Sequence, residues 1–173
     1  MNRFARRLLR GCAAAAAIGL AAVVAPSAGW PRTTRLECRV DQVAIKALKN
    51  WGAQLAASSP QNPAPIVDTY EIRGVLLPTC AKGPLVGRAE IKGYFIDFLK
   101  QRPVVAFDWQ DAKIGGNCHV AFASGLYTFT LEDKTTLPAR YTYIFRRSKS
   151  GRPWLIAQHH SSLQPGSGAA CPH

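Results

Sequence analysis

The chain has 173 residues, with 22 Lys+Arg against 10 Asp+Glu and a formal net charge of +12. Its basic side chains (Lys82, Lys92, Lys100, Arg140, Arg146 and Arg147 among them) are scattered rather than gathered into a stripe with interleaved aromatics, which argues against a nucleic-acid surface. The length fits one domain with one core, and there is no internal repeat, coiled-coil heptad or acidic tail.

The N-terminus carries Arg3, Arg6, Arg7 and Arg10 without an acid nearby. Gly11–Ala25 is almost purely apolar, and Pro26-Ser27-Ala28-Gly29 supplies small residues. Positive, apolar, small is the order of a secretory signal peptide, so residues 1–28 are expected to be a cleaved leader, cut after Ser27, Ala28 or Gly29. The apolar run is about 15 residues, short of the roughly 20 that cross a bilayer, so no stable membrane insertion is expected. Arg6-Arg7 also permits a twin-arginine route. Cys12 begins the apolar run, whereas a lipoprotein cysteine would end it. Cleavage would remove four basic residues and no acid, leaving 18 basic against 10 acidic side chains, a net +8. The expected location is periplasmic or secreted. In that oxidising setting Cys38, Cys80, Cys118 and Cys171 suggest two disulfides in any of three connectivities, with free thiols as the alternative. Their wide spacing fits no zinc site.

Within the domain expected over residues 36–165, Val40, Val43, Ala44, Ala47, Leu48, Trp51 and Leu55 recur in steps of three and four, which predicts a helix over 36–57. Ser58–Pro63 ends it. One short helical turn is expected at Pro65–Tyr70, a strand at Glu71–Pro78, a loop at 79–86 and a second helix over Arg88–Gln101, with Ile91, Tyr94, Phe95, Phe98 and Leu99 on one face. From there the period becomes two, and four strands follow at 104–114, 118–131, 137–147 and 153–163. Their turns are short, at 115–117, 132–134 and 149–151, so neighbours are antiparallel. Helices first and an antiparallel meander last make an α+β layout, and the sheet forms a cone with an internal pocket if it curls. Residues 166–173 read as a mobile tail unless Cys171 pins it.

Gly125-Leu126-Tyr127-Thr128-Phe129-Thr130-Leu131, Pro138-Ala139-Arg140-Tyr141-Thr142-Tyr143 and Trp154-Leu155-Ile156-Ala157-Gln158-His159-His160-Ser161-Ser162 together resemble the bacterial relatives of the calcium/calmodulin-dependent protein kinase II association domain. These belong to the SgcJ/EcaC family of the nuclear transport factor 2-like (SnoaL-like) superfamily. Leu76-Leu77-Pro78-Thr79 and Gly87-Arg88-Ala89-Glu90-Ile91, with Tyr94-Phe95, match in the same order, and the resemblance spans roughly residues 40–165. It implies a cone-shaped curved antiparallel sheet packed on N-terminal helices, a homodimer, and a small-molecule pocket of the kind that in the kinase hub is lined by arginines. The family's oxidoreductase label finds no Gly-rich dinucleotide loop here, so no nucleotide cofactor is expected and enzymatic activity is left open. A kinase domain or calmodulin-binding segment has no room in this chain.

Arg140 matches a pocket arginine of the hub, and a guanidinium there would clamp a carboxylate. The alternatives are an ion pair with Glu90, Asp97 or Asp108, or an exposed edge. A second hub arginine falls near Ser124, a departure from the pattern. Thr142, a second candidate ligand-binding residue, shares one strand face with Arg140 and Ile144; Ala139, Tyr141, Tyr143 and Phe145 share the other, and the three aromatics are interface candidates if they are not core. His159 and His160 point to opposite faces. One of them is a candidate general base, or else a histidine bonded to Ser161 or Ser162 within the sheet. Asp108 is the candidate acid. Tyr94, Trp109, Tyr127 and Trp154 are candidate pocket walls or plain core. Two functions follow: a pocket for a small anionic or aromatic ligand, or a self-associating module without catalysis.

Overall fold

A computed structural model describes residues 39–148 and 153–170. The expected leader, Cys38, Cys171 and the third turn at 149–151 lie outside these residues. Helix α1 (Val40–Ala56) buries Ala44, Leu48, Trp51 and Leu55, the stripe read from the sequence. Ser58 ends it: its hydroxyl donates to the Gln54 carbonyl at 2.8 Å and accepts the Ile66 N–H at 3.1 Å. That second bond ties α1 to the short helix α2 (Ala64–Val67). Strand β1 (Tyr70–Leu77) follows, then β2 (Leu85–Val86) and helix α3 (Arg88–Phe98). Gly87 begins α3 at a φ of 83°, where a side chain would be strained. Glu90 in the first turn accepts the Val86 N–H at 2.6 Å, a carboxylate held at the positive helix end. A 3₁₀ turn (Leu99–Gln101) and Pro103 lead into the meander.

The meander is β3 (Val104–Gly116), β4 (Val120–Thr130), β5 (Thr136–Arg147) and β6 (Trp154–Leu163). The four expected strands and their antiparallel pairing are all present. The full sheet has six strands in the order β2-β1-β6-β5-β4-β3. Two features went unread in the sequence: the two-residue strand β2 antiparallel to β1, and the parallel pairing of β1 with β6. The fold is an α+β cone, an unclosed curved sheet with helices on its inner face.

The inner face carries Ala121, Ala123, Tyr127 and Phe129 from β4, Ala139, Tyr141, Tyr143 and Phe145 from β5, and Ile156 from β6, all buried. Tyr141, Tyr143 and Phe145 are therefore core rather than interface. Trp51 reaches down from α1 into this layer and meets the rings of Phe107, Phe129, Tyr143 and His159 edge-on. Three register shifts interrupt the alternation, one in β1 between Tyr70 and Val75, one in β3 between Asp108 and Lys113 and one in β6 around Ala157. The last decides the site. With Ala157 as the extra residue, Ile156 and His159 both point inward although they are three apart. Beyond β6, Gln164 donates its N–H to the Pro138 carbonyl at 2.9 Å and Ala169 packs against the core. No helix among the described residues is long and apolar enough to cross a membrane.

Candidate functional site: a hydroxyl-ended aromatic cavity

Between α3, the loop after β1 and the inner sheet face lies a cavity of about 260 Å³. Its walls are chiefly apolar: Leu76 from β1, Tyr94, Phe95 and Phe98 from α3, Phe129 from β4 and Leu137 from β5. The α3 residues reach it because positions 94, 95 and 98 fall on one helical stripe. Ala139 leaves room where the neighbouring inward positions of β5 carry large side chains. Solvent-exposed Asp97, paired with Lys100 at 2.7 Å, lies at the rim with Gln101. None of the described residues lining the cavity is Lys or Arg.

One wall is polar, and its groups are linked. The Trp51 indole N–H donates to the Tyr70 hydroxyl at 3.2 Å. That hydroxyl lies 2.8 Å from His159 Nδ1, and His159 Nε2 lies 3.3 Å from the Tyr127 hydroxyl. Tyr127 donates to Ser161 Oγ at 2.5 Å, and Ser161 in turn contacts Thr79 Oγ1. His159 is also stacked on Tyr143, with ring centroids 3.9 Å apart. Burial, with a smaller contribution from neighbouring His160, lowers the His159 pKa to about 3. Charging this imidazole would require desolvating a cation among aromatic rings, so it stays neutral at physiological pH. Burial likewise pushes the hydroxyls of Tyr70, Tyr94, Tyr127 and Tyr143 upward, keeping them protonated.

Of the candidates read from the sequence, the cavity gathers Tyr94, Tyr127 and His159. It does not gather Arg140, Thr142, His160, Asp108, Trp109 or Trp154. Arg140 lies on the opposite, outer sheet face, exposed, and donates to Ser162 Oγ at 3.1 Å. Thr142 is on that face too, bonded to Ser124 at 3.1 Å across β4 and β5, and so is exposed His160, which pairs with Thr142 in register. The partition of β5 into two faces was right, but the pocket face is the tyrosine face. The ion-pair alternatives for Arg140 are occupied elsewhere: Glu90 caps α3, Asp97 holds Lys100, and Asp108 accepts the Gln110 N–H at 3.0 Å at the β3 bulge. Asp108 is exposed there and is not among the residues that line the cavity. Trp109 is 42% exposed, lies against Phe107 and under Lys49 Nζ at 5.7 Å, and lines a shallower groove. Trp154 is half-buried against the core.

His159 with both nitrogens engaged is a poor base, so the role open to it is hydrogen-bonding rather than proton abstraction. Cys118 is a free, half-buried cysteine at the β3–β4 turn, which removes it from the expected pair of disulfides; Cys80, at the cavity's loop, is disulfide-bonded. Thr79, Tyr70 and Trp51 were not singled out as site residues. Thr79 stands in the Leu-Leu-Pro-Thr motif that carried the family resemblance, the one signal that could have found it.

An α+β cone enclosing an apolar pocket is the architecture of nuclear transport factor 2-like proteins. A family model described as the SnoaL-like domain matches residues 74–165, and the chain belongs to that family. Among solved structures it is similar to a protein from Xanthomonas campestris assigned as a calcium/calmodulin dependent protein kinase II association domain. The two share 32% identity and a TM-score of 0.62 over 70% of this chain and 86% of that one. It is also similar to a nuclear transport factor 2-like superfamily protein from Salmonella enterica (14% identity, TM-score 0.57, 76% and 97% covered). A third is a protein from Parabacteroides distasonis assigned as a ketosteroid isomerase (14% identity, TM-score 0.56, 70% and 86% covered). The last two likenesses are of fold alone. No curated protein matches the chain.

Proposed function

We propose that this protein is an exported small-molecule binding protein whose inner cavity takes a neutral, largely aromatic ligand. The observation that carries the reading is the lining: aromatic and aliphatic walls, one uncharged polar end and no cationic side chain among the described residues that form it. Apolar pockets with a few convergent polar groups are the usual form of a ligand site. An apolar cavity of about 150 Å³ holds benzene, so this one holds a substituted ring. The anionic ligand that Arg140 would have clamped has no such partner here.

A thermal-shift screen of neutral phenyl ketones and phenols against matched benzoates tests it. A neutral member should raise the melting temperature saturably, since free ligand at 100 times Kd stabilises by about 2.7 kcal/mol. Ala139→Leu, which fills the cavity, should abolish the shift in a folded protein. Benzoates binding in preference to neutral rings, or no hit at all, would refute the reading. Export is tested by N-terminal sequencing of the periplasmic protein, which should begin near residue 28 to 30.

A second reading, self-association through the outer sheet face, is favoured by exposed Phe122 and Val120 there. Light scattering should report a dimer that Phe122→Glu dissociates; a monomeric wild type would exclude it.

A further inference from the structure

We propose that the cavity selects a ligand bearing an uncharged carbonyl oxygen, held by the Thr79–Ser161 hydroxyl pair, and that Tyr70 sets this preference from a distance by fixing the direction of the buried hydrogen-bond chain. The proposal rests on the pocket reading above and adds to it the polarity of the pocket's one polar end.

The direction follows from counting protons. An indole nitrogen only donates, so the Tyr70 oxygen accepts from Trp51. Tyr70 is completely buried, and its own O–H needs an acceptor; His159 Nδ1 at 2.8 Å is its remaining partner. Tyr70 therefore donates, and Nδ1 must be bare. A neutral imidazole with a bare Nδ1 carries its proton on Nε2, which donates to the Tyr127 oxygen at 3.3 Å. Burial keeps the ring neutral. Tyr127, having accepted, passes its own proton to Ser161 Oγ.

Ser161 and Thr79 then hold two hydroxyl protons and share one contact. Whichever of them donates across that contact, one O–H is left over, and both residues line the cavity. The wall thus presents a hydroxyl donor next to apolar rings, with no Lys or Arg among the described residues that line the cavity. A carbonyl oxygen satisfies such a donor without bringing a proton or a charge of its own. A ligand presenting only donors, or an ammonium, leaves that O–H unmatched, and leaving a buried donor unsatisfied is the costly outcome. Tyr70 touches none of this directly. Its hydroxyl acts through His159, so it is a positioning residue. Without it, His159 is released to take the other tautomer, accept from Tyr127 and end the proton count at the cavity.

The test uses the full mature protein and two probes of nearly equal shape, acetophenone and α-methylstyrene, by calorimetric titration. The quantity read is the ratio of their affinities in wild type compared with Thr79→Val/Ser161→Ala, which cancels their different hydration. The ratio should fall about fivefold in the double variant, the worth of one neutral hydrogen bond, and partly in Tyr70→Phe. Nitrogen-detected NMR of the His159 ring at neutral pH supplies the readout a merely structural role would not move. It should show a bare Nδ1 and a protonated Nε2 in wild type, and a mixed tautomer in Tyr70→Phe. An unchanged ratio with both probes bound overturns this inference and leaves the pocket reading intact. A failure of both probes to bind wild type overturns the pocket reading as well. If the double variant does not fold, a protonated Nδ1 in wild type by itself overturns the proposal.

Discussion

Taking the protein from pH 7 to pH 5 should cost the fold about 2 kcal/mol through a single side chain, His159. Its pKa is lowered to about 3 by burial first and by neighbouring His160 second, whereas in the unfolded chain an imidazole titrates near ~6.5. The folded state therefore binds the proton less readily than the unfolded state. The stabilisation is complete above about pH 6.5 and drains away as pH falls toward 3, at about 1.4 kcal/mol for each unit. The groups packed on the ring, Trp51, Tyr70, Tyr127 and Tyr143, carry no charge in this range. At pH 5 ordinary carboxylates are still mostly ionised, so the window isolates the imidazole. Urea unfolding at the two pH values gives the measurement, with His159→Gln as the comparison: its amide keeps a donor and an acceptor but does not titrate. Every other histidine is present in both proteins. The variant should begin less stable and lose much less on acidification. Equal losses would mean that His159 is hydrated or already charged, and the buried neutral chain would be wrong.

Gly125→Ala should destabilise by about 1–3 kcal/mol in denaturant midpoint measurements, because a Cβ there would lie 2.8 Å from the Tyr141 hydroxyl and 3.3 Å from the Ala112 backbone. Trp51→Ala should cost about 3–5 kcal/mol by the same assay, since Trp51 is at once fully buried, edge-packed on four rings and the donor to Tyr70. Arg140→Ala should leave the affinity for any cavity ligand unchanged in titration calorimetry, because it sits on the other sheet face bonded to Ser162. A lost ligand in that variant would return the arginine to the pocket.

Most of the fold was legible in residue order. The α1 stripe, the apolar face of α3 and the period-two meander follow from where apolar side chains recur, because helices and strands bury one face each. The missing pieces were long-range pairings: β1 alongside β6 is joined by contacts some eighty residues apart in sequence, and two-residue β2 exists only because β1 offers it an edge. On β5 the alternation separated Arg140 and Thr142 from Tyr141 and Tyr143, yet periodicity cannot say which set faces the helices. Hydrophobic burial settles that: the tyrosine set is core and the arginine set faces out. For His159 and His160 the choice lay in one bulge. Ala157 inserts an extra residue into β6 and so turns His159, not His160, into the core, where its neighbours make it neutral and place it in the hydrogen-bond chain. Residue types and their spacing determine the elements, the family and the set of polar groups available. Which of those groups meet across a cavity, and with their protons pointing which way, depends on strand register and burial, which only the assembled sheet supplies.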